Sequence, residues 1–199
     1  MSWIKGNRYL TEAEMKNNSK IIESYLASKG WTLNAICGLL GNMESESTIN
    51  PGIWQSLIEN NMSGGFGLVQ WTPATNFTDW ADNEGFNWDD GDAQLKWIDE
   101  ETTKFGQWIS TESYPISFAQ FKTSSNPPEY LASAFLKNFE RAGVEVEEER
   151  RSQALKWYSY LSEGSDTPDE PITPKPPTSS GKRKKFNFIL FNKQRRTIL

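Results

Sequence analysis

Between Thr32 and Met43 the chain carries an apolar helical pattern with two glycines inside it, and that combination limits what can surround it. Thr32 is placed to cap the helix, and Leu33, Ile36, Cys37, Leu39, Leu40 and Met43 recur at spacings that turn them inward. Gly38 and Gly41 each cost a helix roughly 1 kcal/mol relative to alanine, unless a neighbour packs closely at those positions. The helix runs into Glu44-Ser-Glu46, and Asn50-Pro51-Gly52 closes the unit with turn chemistry. Two carboxylates thus stand at the end of a closely packed apolar helix.

The remaining pattern is also helical. Thr11-Glu-Ala-Glu14 is a capping box opening a helix with Met15, Ile21, Ile22, Tyr25 and Leu26, which Lys29-Gly30 closes. Ile53 to Ser63 reads as a short helix or an irregular loop. Gly64-Gly-Phe-Gly67 predicts a tight turn or small hairpin, with Leu68-Val-Gln-Trp71 as its strand-like continuation. Thr72-Pro73 starts a helix through Phe77, Trp80 and Ala81 that ends near Gly85. Asp89-Asp-Gly-Asp92 leads into a helix with Leu95, Trp97, Ile98, Phe105, Trp108 and Ile109. The distal glutamate of a calcium loop is missing there, so these acids are read as helix caps. Asn126-Pro-Pro-Glu129 caps a helix through Phe139, and Glu147 to Leu161 forms the last one. The fold class expected is mainly α, with a small β-hairpin element.

Composition removes several kinds of chemistry. The chain has no histidine, which excludes Ser-His and Cys-His nucleophilic sites and histidine-bound zinc. Its one cysteine, Cys37, can form no intrachain disulfide and fits a small buried hydrophobe. No metal or cofactor is expected, and carboxylates are left for catalysis. Nine Trp and eleven Phe supply flat rings; most belong to a core, and those partly exposed are what carbohydrates stack on. The N-terminus has no apolar stretch of secretory length and no later run is long enough for a membrane span, so a product made in the cytoplasm without a signal peptide is expected.

At about 100° per residue, helix geometry does not choose between Glu44 and Glu46. Glu44 lies nearer the apolar side and Glu46 nearer the helix end. Both settings disfavour an ionised carboxylate, which is the property required of a general acid for glycosidic cleavage. The segment Ala35-Ile-Cys-Gly-Leu-Leu-Gly-Asn-Met-Glu-Ser-Glu-Ser-Thr-Ile-Asn-Pro-Gly52, with Gly65-Phe-Gly-Leu-Val-Gln-Trp-Thr-Pro73, resembles the phage tail lysozyme family. More distantly, Glu46-Ser47 followed by Gly67 to Pro73 is similar to the signature of goose-type lysozymes and soluble lytic transglycosylases. The resemblance extends loosely from Arg8 to Leu161.

That resemblance implies a lysozyme-like helical fold and a muramidase that cuts the β-1,4 bond after N-acetylmuramic acid in peptidoglycan. It implies Glu46 as the general acid, with Ser47, Gln70 and Trp71 around the sugar. Glu59 is the first candidate for a second carboxylate because its loop must flank the cleft; Asp79, Asp82 and Glu44 follow. Relatives of this fold that lack a second carboxylate close a 1,6-anhydro ring, so a lytic transglycosylase is the alternative, and a non-catalytic wall-binding module the other. Family members that join a zinc endopeptidase to the lysozyme domain use histidines absent here, so only glycan cleavage is expected. The expected place of action is the host wall, from a phage tail during entry.

After Gly164 the composition changes. Residues 165–181 carry five prolines among Ser, Thr, Asp and Glu and read as a linker between a catalytic domain, 1–164, and a tail, 182–199. Residues 1–165 hold 13 Lys and Arg against 23 Asp and Glu, a net of −10, whereas the tail has seven cations and no acid. Such a body favours no nucleic-acid partner, and it repels anionic walls. The tail pairs its charge with Phe186-Asn-Phe-Ile-Leu-Phe191, suited to docking on a phage tail protein or to holding anionic membrane or teichoic acid. Deleting residues 181–199 is expected to lower virion incorporation or wall binding; quantitative blotting of particles and a wall pull-down that both match the full chain would exclude both roles.

Overall fold

In the computed structural model, residues 1–141 and 146–163 are described, and the helix that begins after Thr32 lies at their centre. Helix α1 (Glu12–Ser28) precedes α2 (Leu33–Ser47). Next come α3 (Thr75–Glu84), α4 (Gly91–Lys96), α5 (Phe118–Lys122), α6 (Pro128–Phe135) and α7 (Glu147–Glu163). Every residue of α2 from Ala35 to Met43 is buried, because α1, α6 and α7 all pack on it. The inward face expected from spacing is thus a helix enclosed on several sides. Cys37 lies fully inside, and burial pushes its thiol up to about 12.

The two glycines explain how α6 and α7 come so close to α2. A Cβ on Gly38 would stand 2.8 Å from the Leu131 Cβ and 3.0 Å from the Ala132 nitrogen of α6. One on Gly41 would meet the Arg150 carbonyl and come within 2.9 Å of the Ala154 nitrogen of α7. Both helices therefore touch α2 backbone to backbone. Asn42, directly after Gly41 in sequence, donates through Nδ2 to the carbonyls of Gly38 and Ala132, so the seam also carries a buried polar bond to α6.

Local signals place the ends of most helices. Thr11 and Glu14 form the expected capping box of α1, Thr32 accepts from the Ala35 nitrogen, and Asp90 accepts from the nitrogens of Asp92 and Ala93. Gly85, in the left-handed region, stops α3. Three expectations change. The long helix after Asp92 gives way to a π-helical turn, Trp97–Glu101, beyond which Phe105 and Ile109 are more than half exposed. Helix α6 passes into a second such turn, Leu136–Glu140. Helix α5, with its own capping box of Ser117 and Gln120, was not expected at all.

The strand-like run from Leu68 to Trp71 is a turn. Phe66 and Trp71 exchange both backbone hydrogen bonds, at 3.2 and 3.0 Å, so the four residues between them form the loop. Gly67 at φ +77° and Gln70 at φ +48° bend the chain back. With the Trp54–Phe66 bridge, this is the small β element, without a full strand among the described residues. The described residues fall within one unit, and none of their helices is long and apolar enough to cross a membrane. The linker and tail, 165–199, lie outside the described residues.

Gly41→Ala tests the close seam. The added methyl forces α7 away from α2, and overpacking of this kind costs about 1–3 kcal/mol. Thermal unfolding is expected to fall by roughly 2–12 °C, at about 2–4 °C per kcal/mol for a domain of this size. A variant melting with the wild type would show that α7 yields without cost.

Candidate active site

Three consecutive side chains at the end of α2 are held by α7. The Glu44 carboxylate accepts from Lys156 Nζ at 2.5 Å and Trp157 Nε1 at 2.8 Å. Ser45 donates to Gln153 Oε1 at 2.7 Å. Glu46 is gripped by the Arg150 guanidinium, whose Nη2 donates to its Oε1. The Glu46 side chain is 21% exposed and that of Arg150 only 6%. The two glutamates that sequence left interchangeable therefore differ in partner: Glu44 has a partly exposed ammonium and an indole, Glu46 a buried guanidinium.

Immediately after Glu46 the backbone leaves the helix in a costly way. Thr48 (φ 53°) and Ile49 (φ 56°) are both left-handed, a region that β-branched residues seldom adopt. Of the seven non-glycine residues with positive φ among the described residues, six lie between Thr48 and Gln70. Strain concentrated in one segment is a mark of functional sites when surrounding structure enforces it. Here it is enforced by side chains. Asn18 Nδ2 donates to the Ile49 carbonyl, Thr48 Oγ1 accepts from the Leu10 nitrogen, and Ser47 Oγ donates to the Leu68 carbonyl at 2.8 Å. Ser47 is 1% exposed, so it ties the helix end to the 66–71 turn and leaves no surface for a sugar.

Beyond that turn is an open groove of about 500 Å³. Its rings are Trp54, Phe66, Phe86 and Trp88; Asn7, Asn60 and Asn87 bring amides; Glu59, Asp82 and Asp89 bring carboxylates. Trp88 is half-buried and donates from Nε1 to Asp82 at 2.7 Å, while Trp54 meets it edge to face. Rings with an apolar face beside amides and carboxylates are the chemistry of a sugar-binding surface. Gln94, which carried no signal in the sequence, holds this region from beneath. Its Nε2 donates to the carbonyls of Pro51 and Trp88, and its Oε1 accepts from the Leu68 nitrogen.

The residues expected around the sugar are dispersed over these two places. Glu59 is exposed and lines the groove. Glu46 does not line the groove, although Ser47 touches Leu68, and Leu68 is within two residues, at most about 7 Å of chain, of groove-lining Phe66. Gln70 is part-buried and spends its amide on the carbonyls of Ile53 and Gly67, closing the turn. Trp71 differs from the expectation: at 3% exposure it stacks on Phe77 with centroids 4.6 Å apart and meets Trp97 edge to face. Its ring is core. The partly exposed indole near the carboxylates is Trp88, which sequence reasoning had not singled out.

The phage tail lysozyme family matches residues 17–161. The chain is 48% identical over 156 residues to Morphogenesis protein 1 of Bacillus phage B103; the match covers 78% of this chain and 42% of that protein. The chain thus spans less than half the length of this relative.

Gln94→Leu would leave three backbone groups without partners, two buried and one part-buried, each buried one worth about 1–3 kcal/mol. A loss of stability on the order of 3 kcal/mol or more is expected in denaturant unfolding. An unchanged midpoint would mean that these groups find other partners.

Proposed function

The chain belongs to the phage tail lysozyme family, and from that premise we propose that it cleaves the glycan strands of peptidoglycan at the β-1,4 bond between N-acetylmuramic acid and N-acetylglucosamine. The observation that carries this reading is the place of Glu46, at the end of the family-matched buried helix and at the head of the strained segment leading to the groove. Glu46 is the proposed general acid. It passes its proton to the glycosidic oxygen as the bond from the muramic C1 breaks, the bonding pair staying on that oxygen. Water then adds at C1 and gives up a proton. The Glu59 carboxylate, on the groove wall, is the proposed second carboxylate for this water. Trp88 and Phe86, the partly exposed rings of the groove, present ring surface to the strand, and the asparagines bond its amide and hydroxyl groups.

One observation favours keeping a second reading. Glu59 and Glu46 do not line the same groove. Closure of a 1,6-anhydro ring by the substrate's own 6-hydroxyl needs no second carboxylate, so a lytic transglycosylase fits that separation. The biological setting proposed is action on the host wall from a phage tail during entry, with residues 1–164 as the catalytic domain, 165–181 as a linker and 182–199 docking the enzyme on a tail protein or on anionic surface.

Glu46→Gln is expected to lower release of fragments from Gram-positive cell walls by roughly 10²–10⁴-fold, the usual worth of general acid catalysis, in a variant that still folds but unfolds more readily because the buried Arg150 loses its counter-charge. Full activity would remove Glu46 as the acid. Mass spectrometry of wild-type products separates the two readings: reducing muramic ends follow from water addition, anhydro ends from ring closure. Glu59→Gln lowers the rate only in the first case.

A further inference from the structure

We infer that Arg150 is a positioning residue for Glu46, a step that rests on Glu46 being the acid. The argument begins with the setting of the pair. Glu46 stands in the last turn of α2, where the unpaired carbonyls of a helix end repel negative charge. Its carboxylate is mostly withdrawn from water, and its partner guanidinium is more so. Burying two charges is costly, and the attraction between them offsets that cost only with good geometry. A helix end meant only to rest on its neighbour needs no such pair: Glu44 and Lys156 already join the same two helices with an exposed ammonium.

What the buried pair adds is orientation. Arg150 lies in the first turn of α7, and its own carbonyl is the atom against which Gly41 packs. The backbone that carries the guanidinium is therefore fixed to α2 one turn before Glu46. The guanidinium, planar and carried on a fixed backbone, meets Glu46 through one hydrogen bond, Nη2 to Oε1, and so restrains the carboxylate more than a flexible ammonium does. On the other side, Ser47 and the left-handed pair Thr48–Ile49 fix the chain leaving the helix. Once Glu46 has given up its proton it is a carboxylate, and the guanidinium is already in place to receive that charge.

The test uses the full chain and soluble, peptide-free glycan strands as substrate. Arg150→Ala is expected to lower kcat by roughly 10²-fold, the effect of misplacing a reacting group by about 1 Å, with KM nearly unchanged. Added guanidinium ion restores part of kcat, and Arg150→Lys retains more activity than Arg150→Ala. Lys156→Met, which breaks the neighbouring pair, keeps wild-type kcat. Four outcomes overturn the inference: wild-type kcat in Arg150→Ala, a loss confined to KM, no response to guanidinium, or an equal loss in Lys156→Met, which would make Arg150 one more tie between the helices. Should the alanine variant unfold, the comparison of Arg150→Lys with Lys156→Met still decides: the inference expects a kcat in Arg150→Lys clearly below that of Lys156→Met, and wild-type kcat in both overturns it. An inactive Glu46→Gln beside a fully active Arg150→Ala rejects this inference alone; an active Glu46→Gln rejects the acid itself.

Discussion

The approach of α6 and α7 to α2 at Gly38 and Gly41 is the contact on which the remaining structure depends. A side chain at either position would collide with backbone atoms of the facing helix, and backbone does not move aside as a flexible side chain does. Because α7 touches α2 at Gly41, its first turn and the turns after it run beside the end of α2. Arg150, Gln153, Lys156 and Trp157 thereby reach Glu46, Ser45 and Glu44. A helix that is apolar at its centre thus ends in carboxylates whose charge is met by a neighbour.

The second organising device is the buried amide. Much of the chain from Thr48 to Gly67 is irregular, and its backbone polar groups need partners when they are withdrawn from water. Asn18 serves Ile4 and Ile49; Asn50 donates to the carbonyls of Gly6 and Arg8 and accepts from the Gly52 nitrogen; Gln94 joins Pro51, Leu68 and Trp88. These side chains let a strained, mostly non-helical segment sit on a helical body. They also place the N-terminal Gly6 and Asn7 on the groove rim, far in sequence from the residues opposite.

Much of the helical content was legible because its signals are local. The capping boxes, the stop at Gly85 and the two helical glycines all act through neighbours within a turn or demand close contact in a general way. Other features were not legible for a matching reason. Leu68-Val-Gln-Trp looks like a strand by residue type, yet the left-handed Gln70 and the pairing of Phe66 with Trp71 make it a loop. Trp71 belongs to the second motif block, but its stack on Phe77 and its edge contact with Trp97 place the ring in the core. Helix α5 had a signal, Ser-Phe-Ala-Gln, that its short length concealed.

By itself the amino-acid sequence determined the helical class, the absence of histidine chemistry, the special status of the Glu44–Glu46 end and, through its two motif blocks, the family. Those properties are carried by residue type and by spacing along the chain. The tertiary structure alone decided which partner each glutamate has, since Arg150 lies 104 residues from Glu46 and reaches it through helix packing. It also decided that Trp88 rather than Trp71 offers a partly exposed ring, because burial depends on what folds over a residue and not on the residue's neighbours in sequence.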